Sequence, residues 1–176
     1  MSESSPRDAA HHHRRHAARS VPTAVVTVSD TRTPETDTGG ACVAELLERA
    51  GHPVRLREIV ADDAARIADA LRRALARDDV GAVVLTGGTG VSPRDVTPDA
   101  VAPMLERELP GFGELFRALS YQEIGSAALL SRALAGVAAG KLVFVLPGSR
   151  AGVRLALEKL VLPELGHLAA EVAKCV

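Results

Sequence analysis

Aromatic residues are nearly missing, with one Tyr, three Phe and no Trp in 176 residues. The charge is almost balanced as well, at a formal −1 with 21 basic and 22 acidic side chains. Without stacking faces or a basic field, the chain lacks what nucleic-acid binding needs. Cysteine is scarce too. Cys42 and Cys175 stand far apart in no Cys-x-x-Cys pair, which argues against a disulfide framework or zinc knuckle and fits a reducing cytoplasm. No apolar run approaches the roughly 18 residues of a membrane helix, and the basic start leads only into a short strand-like segment rather than a signal-peptide core. There is no Gly-x-Ser-x-Gly elbow and no His-Glu-x-x-His, so serine-hydrolase and zinc-protease chemistry find no support.

What is present is ordinary globular material, 47% hydrophobic and 24% charged. The first 20 residues differ from the rest. They carry Arg7, Arg14, Arg15 and Arg19 against Glu3 and Asp8, with His11, His12, His13 and His16 among them. This reads as a disordered, solvated tail, because no carboxylate or thiolate completes a metal site around the histidines. Residues 21–176 read as one domain, with no internal repeat and no linker.

Hydrophobic periodicity predicts strands at Ala24 to Val28, Val54 to Val60, Ala82 to Thr86, Leu134 to Ala138 and Lys141 to Leu146. It predicts helices at Gly39 to Ala50, about Asp63 to Arg77, Thr97 to Leu105, Phe112 to Leu119, Ser126 to Arg132 and from Arg150 onward, with Pro163 a break or kink. Repeated strand-helix units indicate an α/β fold, a three-layer α/β/α sandwich around a mostly parallel sheet.

In such a sheet ligands bind beyond the carboxyl ends of the strands. Four of those junctions carry unusual residues: Ser29-Asp30, Asp62-Asp63, Gly87-Gly88-Thr89-Gly90 and Pro147-Gly148-Ser149. If their strands are parallel, all four share one edge. The glycine loop is either a tight turn or a backbone cradle for phosphate; it is neither a Walker A loop nor the dinucleotide fingerprint. Asp95, beside Arg94 and Thr97, either helps cap the Thr97 helix or serves a phosphate with Mg²⁺. Asp62 is similarly ambiguous, being a natural N-cap for a helix beginning at Asp63. Two carboxylates with substrate phosphates would suffice for Mg²⁺. His52 and His167 have no partner at metal-ligand spacing and read as surface or satisfied histidines, and Cys42, which falls in a helix, reads as packing.

Several ordered motifs together resemble the MoaB/Mog family of molybdenum-cofactor biosynthesis proteins. They are Leu85-Thr86-Gly87-Gly88-Thr89-Gly90 with Arg94-Asp95-Val96-Thr97-Pro98-Asp99, Val25 to Asp30, Val60-Ala61-Asp62-Asp63, Pro110-Gly111-Phe112, Ser131-Arg132-Ala133 and Leu146-Pro147-Gly148-Ser149. Ser120 to Ser126 looks more like MoaB than Mog, and Ala61 replaces a proline that often precedes the acidic pair. The resemblance implies binding of molybdopterin. In active members it implies Mg²⁺- and ATP-dependent adenylylation of its terminal phosphate, with pyrophosphate released. Some MoaB-type members lack that activity, which leaves a noncatalytic molybdopterin-binding or scaffold protein as the alternative. By the same resemblance, Asp62 and Asp95 would position Mg²⁺ and nucleotide, and Gly87, Gly88, Thr89 and Gly90 would hold phosphate. Ser29, Asp30, Arg94 and Thr97 would line the site, while Ser131, Arg132, Pro147, Gly148 and Ser149 would serve the pterin side. The resemblance further implies a homo-oligomer, trimer or hexamer, and a molybdate-inserting enzyme as downstream partner.

Overall fold

The computed structural model describes Ala18 and residues 20–174; the histidine cluster and Cys175 lie outside the described residues. Six strands form one sheet in the order β2-β1-β3-β6-β5-β4. They are β1 (Thr23–Val28), β2 (Val54–Val60), β3 (Ala82–Thr86), β4 (Arg107–Glu108), β5 (Leu134–Ala138) and β6 (Lys141–Leu146). The helices are α1 (Thr38–Arg49), α2 (Ala64–Leu75), α3 (Thr97–Val101), α4 (Pro110–Ile124), α5 (Arg150–Ala156) and α6 (Leu162–Ala173).

The strand pattern explains the layering. In β3 every residue is apolar except Thr86, and all five are buried. Alternate side chains therefore enter opposite cores, as expected for a strand covered on both faces. Ala82 and Val84 join Val25, Phe144 and Leu146 against α1, α4, α5 and α6. Val83 and Leu85 join Val26, Val143 and Val145 against Ile67 and Leu71 of α2 and Val101 of α3.

Strands β2, β1, β3 and β6 are mutually parallel, and their ends are in register, with Val28 opposite Val60, Thr27 opposite Thr86 and Thr86 opposite Leu146. The four junctions singled out in the sequence therefore do lie on one edge. The other half of the sheet reverses: β5 runs antiparallel to β6, and β4 to β5. The turn between β5 and β6 is Ala139-Gly140, with φ of 48° and 67°. Positive φ at both turn residues gives the twist that a two-residue hairpin requires.

Local boundaries depart from the periodicity at several points. Strand β4 is too short to leave a two-residue pattern. Helix α4 begins at Pro110 and continues to Ile124, ending at Gly125 with φ 63°. The expected helix at Ser126 to Arg132 is a 3₁₀ segment, Gly125–Leu130, with Ser131 extended. The Thr97 helix closes as one α turn and a 3₁₀ turn, Ala102–Met104. Pro163 does not break the final helix; a π segment, Leu157–Val161, precedes it and α6 follows directly. The wider turn fits the missing proline N–H and the bulk of its ring, which a regular α turn cannot accommodate.

His52 is buried at 6% exposure, and its Nδ1 accepts the Val21 N–H at 3.0 Å. That bond requires Nδ1 to be unprotonated, and burial holds the ring's pKa below its ordinary 6.5. The unfolded chain takes up a proton near 6.5 that the folded chain refuses, so stability falls as pH drops through that value. Denaturant midpoints are expected to decline between about pH 7.5 and 5.5, with a shallower decline in His52→Asn. Equal slopes would show that His52 does not couple folding to protons.

Candidate functional site

The shared strand edge is built around Gly87 and Gly88. Gly87 has φ 109°, and a Cβ there would lie 2.3 Å from the Val28 carbonyl oxygen. Only a residue without a side chain lets β3 turn so tightly against the end of β1. Gly88 has φ 61°, and its Cβ position is 2.4 Å from Thr97 Oγ1 and 2.8 Å from Asp62 Oδ1. The bare backbone thus brings the end of β2 and the start of α3 to the same point.

Both capping ambiguities resolve in favour of available carboxylates. Asp63, not Asp62, caps α2, its side chain accepting the Arg66 N–H at 2.9 Å. One residue earlier, Asp62 is left at the sheet edge. Asp95 does not cap α3 either. Its Oδ2 accepts the Ser92 N–H at 2.9 Å, which closes the turn before the helix. Val96 occupies the N-cap position, and no side chain makes a capping bond there. Thr97 is fully buried with Oγ1 unpartnered, while its N–H donates to Gly88 O at 3.1 Å.

Asp30 joins the group from β1. Its Oδ1 accepts the Asp62 N–H at 3.1 Å, and its Oδ2 pairs with Arg94 at 3.0 Å. The carboxyl of Asp62 is pushed above the usual carboxylate range, chiefly by burial and then by the Asp30 carboxylate. Asp95 adds to this and Arg94 opposes it. A bound cation would relieve that repulsion. The described residues contain no cluster of three or more His, Cys, Asp or Glu arranged as a metal cage. Asp62 and Asp95 offer the one or two carboxylates that a Mg²⁺ ion held mainly by phosphate and water would require.

The remaining expected residues fall into two groups. Ser29 Oγ accepts the N–H groups of Thr31 and Arg32, ordering the loop after β1. Ser149 caps α5 by accepting the Gly152 N–H at 3.2 Å, and Pro147 O accepts the Thr86 hydroxyl at 2.8 Å. Ser131 sits beside Thr89 in a cleft wall. Arg132 is engaged within the protein: it bonds Gly90 O at 2.8 Å, the Asp99 carboxylate at 2.9 Å and Asp95 O. One site residue escaped the sequence reading. Asp37 is 5% exposed; it caps α1 through Gly40 N–H and also accepts from the Thr27 hydroxyl and Arg57. An acid two residues before Gly39-Gly40 at the start of an amphipathic stretch is the signal that would have found it.

Two clefts flank the glycine loop. A polar one of about 290 Å³ is lined by Ser29, Arg32, Asp37, Gly87, Gly88 and Gly148. The other, about 240 Å³, lies between α4 and α5, with Phe116 and Leu155 among its lining and Thr89, Ser120, Ser131 and Ser149 on its walls. Gly87 and Gly88 line one cleft and Thr89 the other, so the loop stands between them.

An α/β sandwich with a glycine-rich strand end, flanking carboxylates and adjacent clefts has the features of a small-molecule binding domain, with its candidate site at the carboxyl edge of the sheet. The domain family described as "Probable molybdopterin binding domain" matches residues 24–167. Molybdenum cofactor biosynthesis protein B of Halalkalibacterium halodurans is 49% identical over 163 residues, covering 92% of this chain and 96% of its own. Its Bacillus subtilis counterpart is 48% identical over 167 residues, covering 92% and 96%. A crystal structure of a molybdenum cofactor biosynthesis protein B superimposes with a TM-score of 0.87 at 50% identity, covering 90% of this chain and 99% of that one. The tungsten cofactor synthesizing protein MoaB from Pyrococcus furiosus gives 0.80 at 35% identity, covering 89% and 99%. The chain belongs to the MoaB/Mog family of molybdenum-cofactor biosynthesis proteins.

Proposed function

We propose that the protein is a molybdopterin adenylyltransferase. The molybdopterin phosphate attacks the α-phosphorus of ATP; a new P–O–P link forms, the bond to the β-phosphate breaks, and pyrophosphate leaves. The observation that carries this reading is a glycine loop flanked by two clefts, with the Asp62 carboxylate against Gly88 and the Asp95 carboxylate against Gly90. A protein that only held one pterin would need neither the second cleft nor a destabilised carboxylate group.

Asp62 and Asp95 would hold Mg²⁺, which when bound neutralises phosphate charge. The backbone of Gly87 to Gly90 would cradle phosphate, and Arg94, paired with Asp30 and 79% exposed at its side chain, would supply positive charge beside it. Ser131 and Ser149 would orient polar edges of the pterin in the less polar cleft. Such a transfer asks the protein for positioning and charge stabilisation rather than a covalent intermediate.

The reading extends to a homo-oligomer, trimer or hexamer, for which exposed Leu115, Ile124, Leu129 and Leu130 offer apolar surface. It also extends to a molybdate-inserting enzyme that takes the product. A cytoplasmic setting agrees with the buried free thiol of Cys42, and among the described residues no helix is long and apolar enough to cross a membrane.

The test is to supply purified protein with molybdopterin, ATP and Mg²⁺ and to quantify adenylyl-molybdopterin and pyrophosphate. Both products in equal amounts are expected. Molybdopterin binding without either product would establish the noncatalytic binder instead.

A further inference from the structure

From Gly87 to Val96 the chain has no helix or strand, yet it carries Asp95. Its internal bonds are short-range: Asp95 N–H to Ser92 O, Ser92 N–H to Asp95 Oδ2, and Arg94 N–H to Ser92 Oγ. These shape the turn but do not say where the turn stands against Asp62. Two ties set that placement: Asp30, whose Oδ1 accepts the Asp62 N–H and whose Oδ2 pairs with the exposed Arg94 side chain, and a residue in the segment between the 3₁₀ turn and β5. The N–H of Arg132 donates to Thr89 O at 3.0 Å, and its Nε donates to Gly90 O at 2.8 Å. Its Nη1 reaches both Asp99 carboxylate oxygens at 2.9 Å, and Nη2 bonds Asp95 O.

We propose that Arg132 is a positioning residue for nucleotide transfer, bracing the acid-bearing loop so that the Asp95 carboxylate stands where Asp62 can share its ligand. This rests on the adenylyltransferase reading. It replaces the expectation that Arg132 touches the pterin, because each of the three guanidinium nitrogens already donates to an acceptor of the protein. Planarity is what the role needs. A guanidinium presents donors in fixed directions to three acceptors at once, and a lysine ammonium cannot reproduce that fork. Asp99, with its side chain 63% exposed, contributes orientation more than stability, since exposed ion pairs stabilise little. The brace also adjoins the second cleft, because Ser131 and Thr89 form part of its wall.

The test uses the full chain with Arg132→Gln, Arg132→Lys, Asp99→Asn and the Arg132→Gln/Asp99→Asn double variant. Amide hydrogen exchange without substrates reads the brace independently of any reaction. Arg132→Gln is expected to speed exchange in residues 88–97 by about tenfold, with β3 amides unchanged, a difference of about 1.4 kcal/mol in local opening. For the reaction, kcat is expected to fall about 10²-fold, the scale of a misplacement of about 1 Å, while molybdopterin affinity stays constant. Lysine should rescue only part of the loss. Asp99→Asn should give a smaller loss in the same direction, and the double variant should be no worse than Arg132→Gln alone. Weakened molybdopterin binding with unchanged loop exchange would overturn the proposal in favour of a pterin contact. Loosened exchange with unchanged kcat would show that the loop's placement does not matter to transfer. Should Arg132→Gln fail to fold, the lysine and Asp99 variants carry the same comparison. If wild-type protein makes no adenylyl product, the transferase reading fails, while exchange still decides whether Arg132 braces the loop.

Discussion

Asp62→Asn is expected to slow adenylyl transfer by about 10²–10³-fold, the cost of removing one positioned electrostatic contact, and at the same time to raise the melting temperature. The two effects have one cause. Burial and the carboxylates of Asp30 and Asp95 hold the Asp62 carboxyl above its usual range, so its charge at neutral pH opposes folding. A neutral amide of the same shape removes that opposition along with the negative charge that would hold a cation. Stability at a site of this kind is traded against activity. Asp95→Asn should show a comparable loss of rate with little change in melting temperature, since an amide oxygen can still accept the Ser92 N–H. Steady-state rates and thermal melts on the two variants check both halves. A variant with unchanged rate and unchanged Mg²⁺ titration would remove that residue from the site. An Asp62→Asn protein that melts lower than wild type would show that the carboxylate is stabilising where it stands.

Gly87→Ala is expected to cost about 3 kcal/mol or more of folding stability, because the backbone conformation is strained for any side chain and the new methyl meets a carbonyl. A Cβ there would sit 2.3 Å from Val28 O, and main chain at the end of a central strand cannot step aside. For a domain of this size that corresponds to a fall of roughly 6–12 °C in melting temperature. Gly88→Ala makes a contrast one residue away. Its φ of 61° is a region that L residues enter at modest cost, and the atoms in the way belong to the Asp62 and Thr97 side chains. Stability should fall by only about 1–2 kcal/mol, while transfer is lost because Asp62 is pushed from its place. If both variants lost stability equally and kept their rates, the glycine loop would be a turn without a binding role.

Much of this architecture is legible in local chemistry. The apolar run of β3 and the spacing of Ile67, Leu71 and Ala74 specify a doubly covered strand and an amphipathic helix, because burial has a period set by backbone geometry. The candidate acids and the glycine loop are likewise legible as residue types at strand ends, and parallel pairing is enough to gather them on one edge. Other features are legible only in hindsight. Asp37 reads as one polar residue among many until α1 is seen to begin beside it, and the π turn before Pro163 is one of several ways to tolerate a proline.

The amino-acid sequence by itself determined the α/β class, the strand ends that carry the candidate site and the family to which the chain belongs, since these follow from periodicity and from motifs contiguous along the chain. Three things were decided by tertiary structure alone. The reversal of β5 and β4 depends on pairings between distant segments. The release of Asp62 and Asp95 from capping turns on a shift of one residue, which spacing cannot resolve when either neighbour can serve. Arg132 is tied to its acceptors across some 33 to 42 residues of chain; its planar donors bind whatever the fold brings within reach, and only the folded chain brings that loop there.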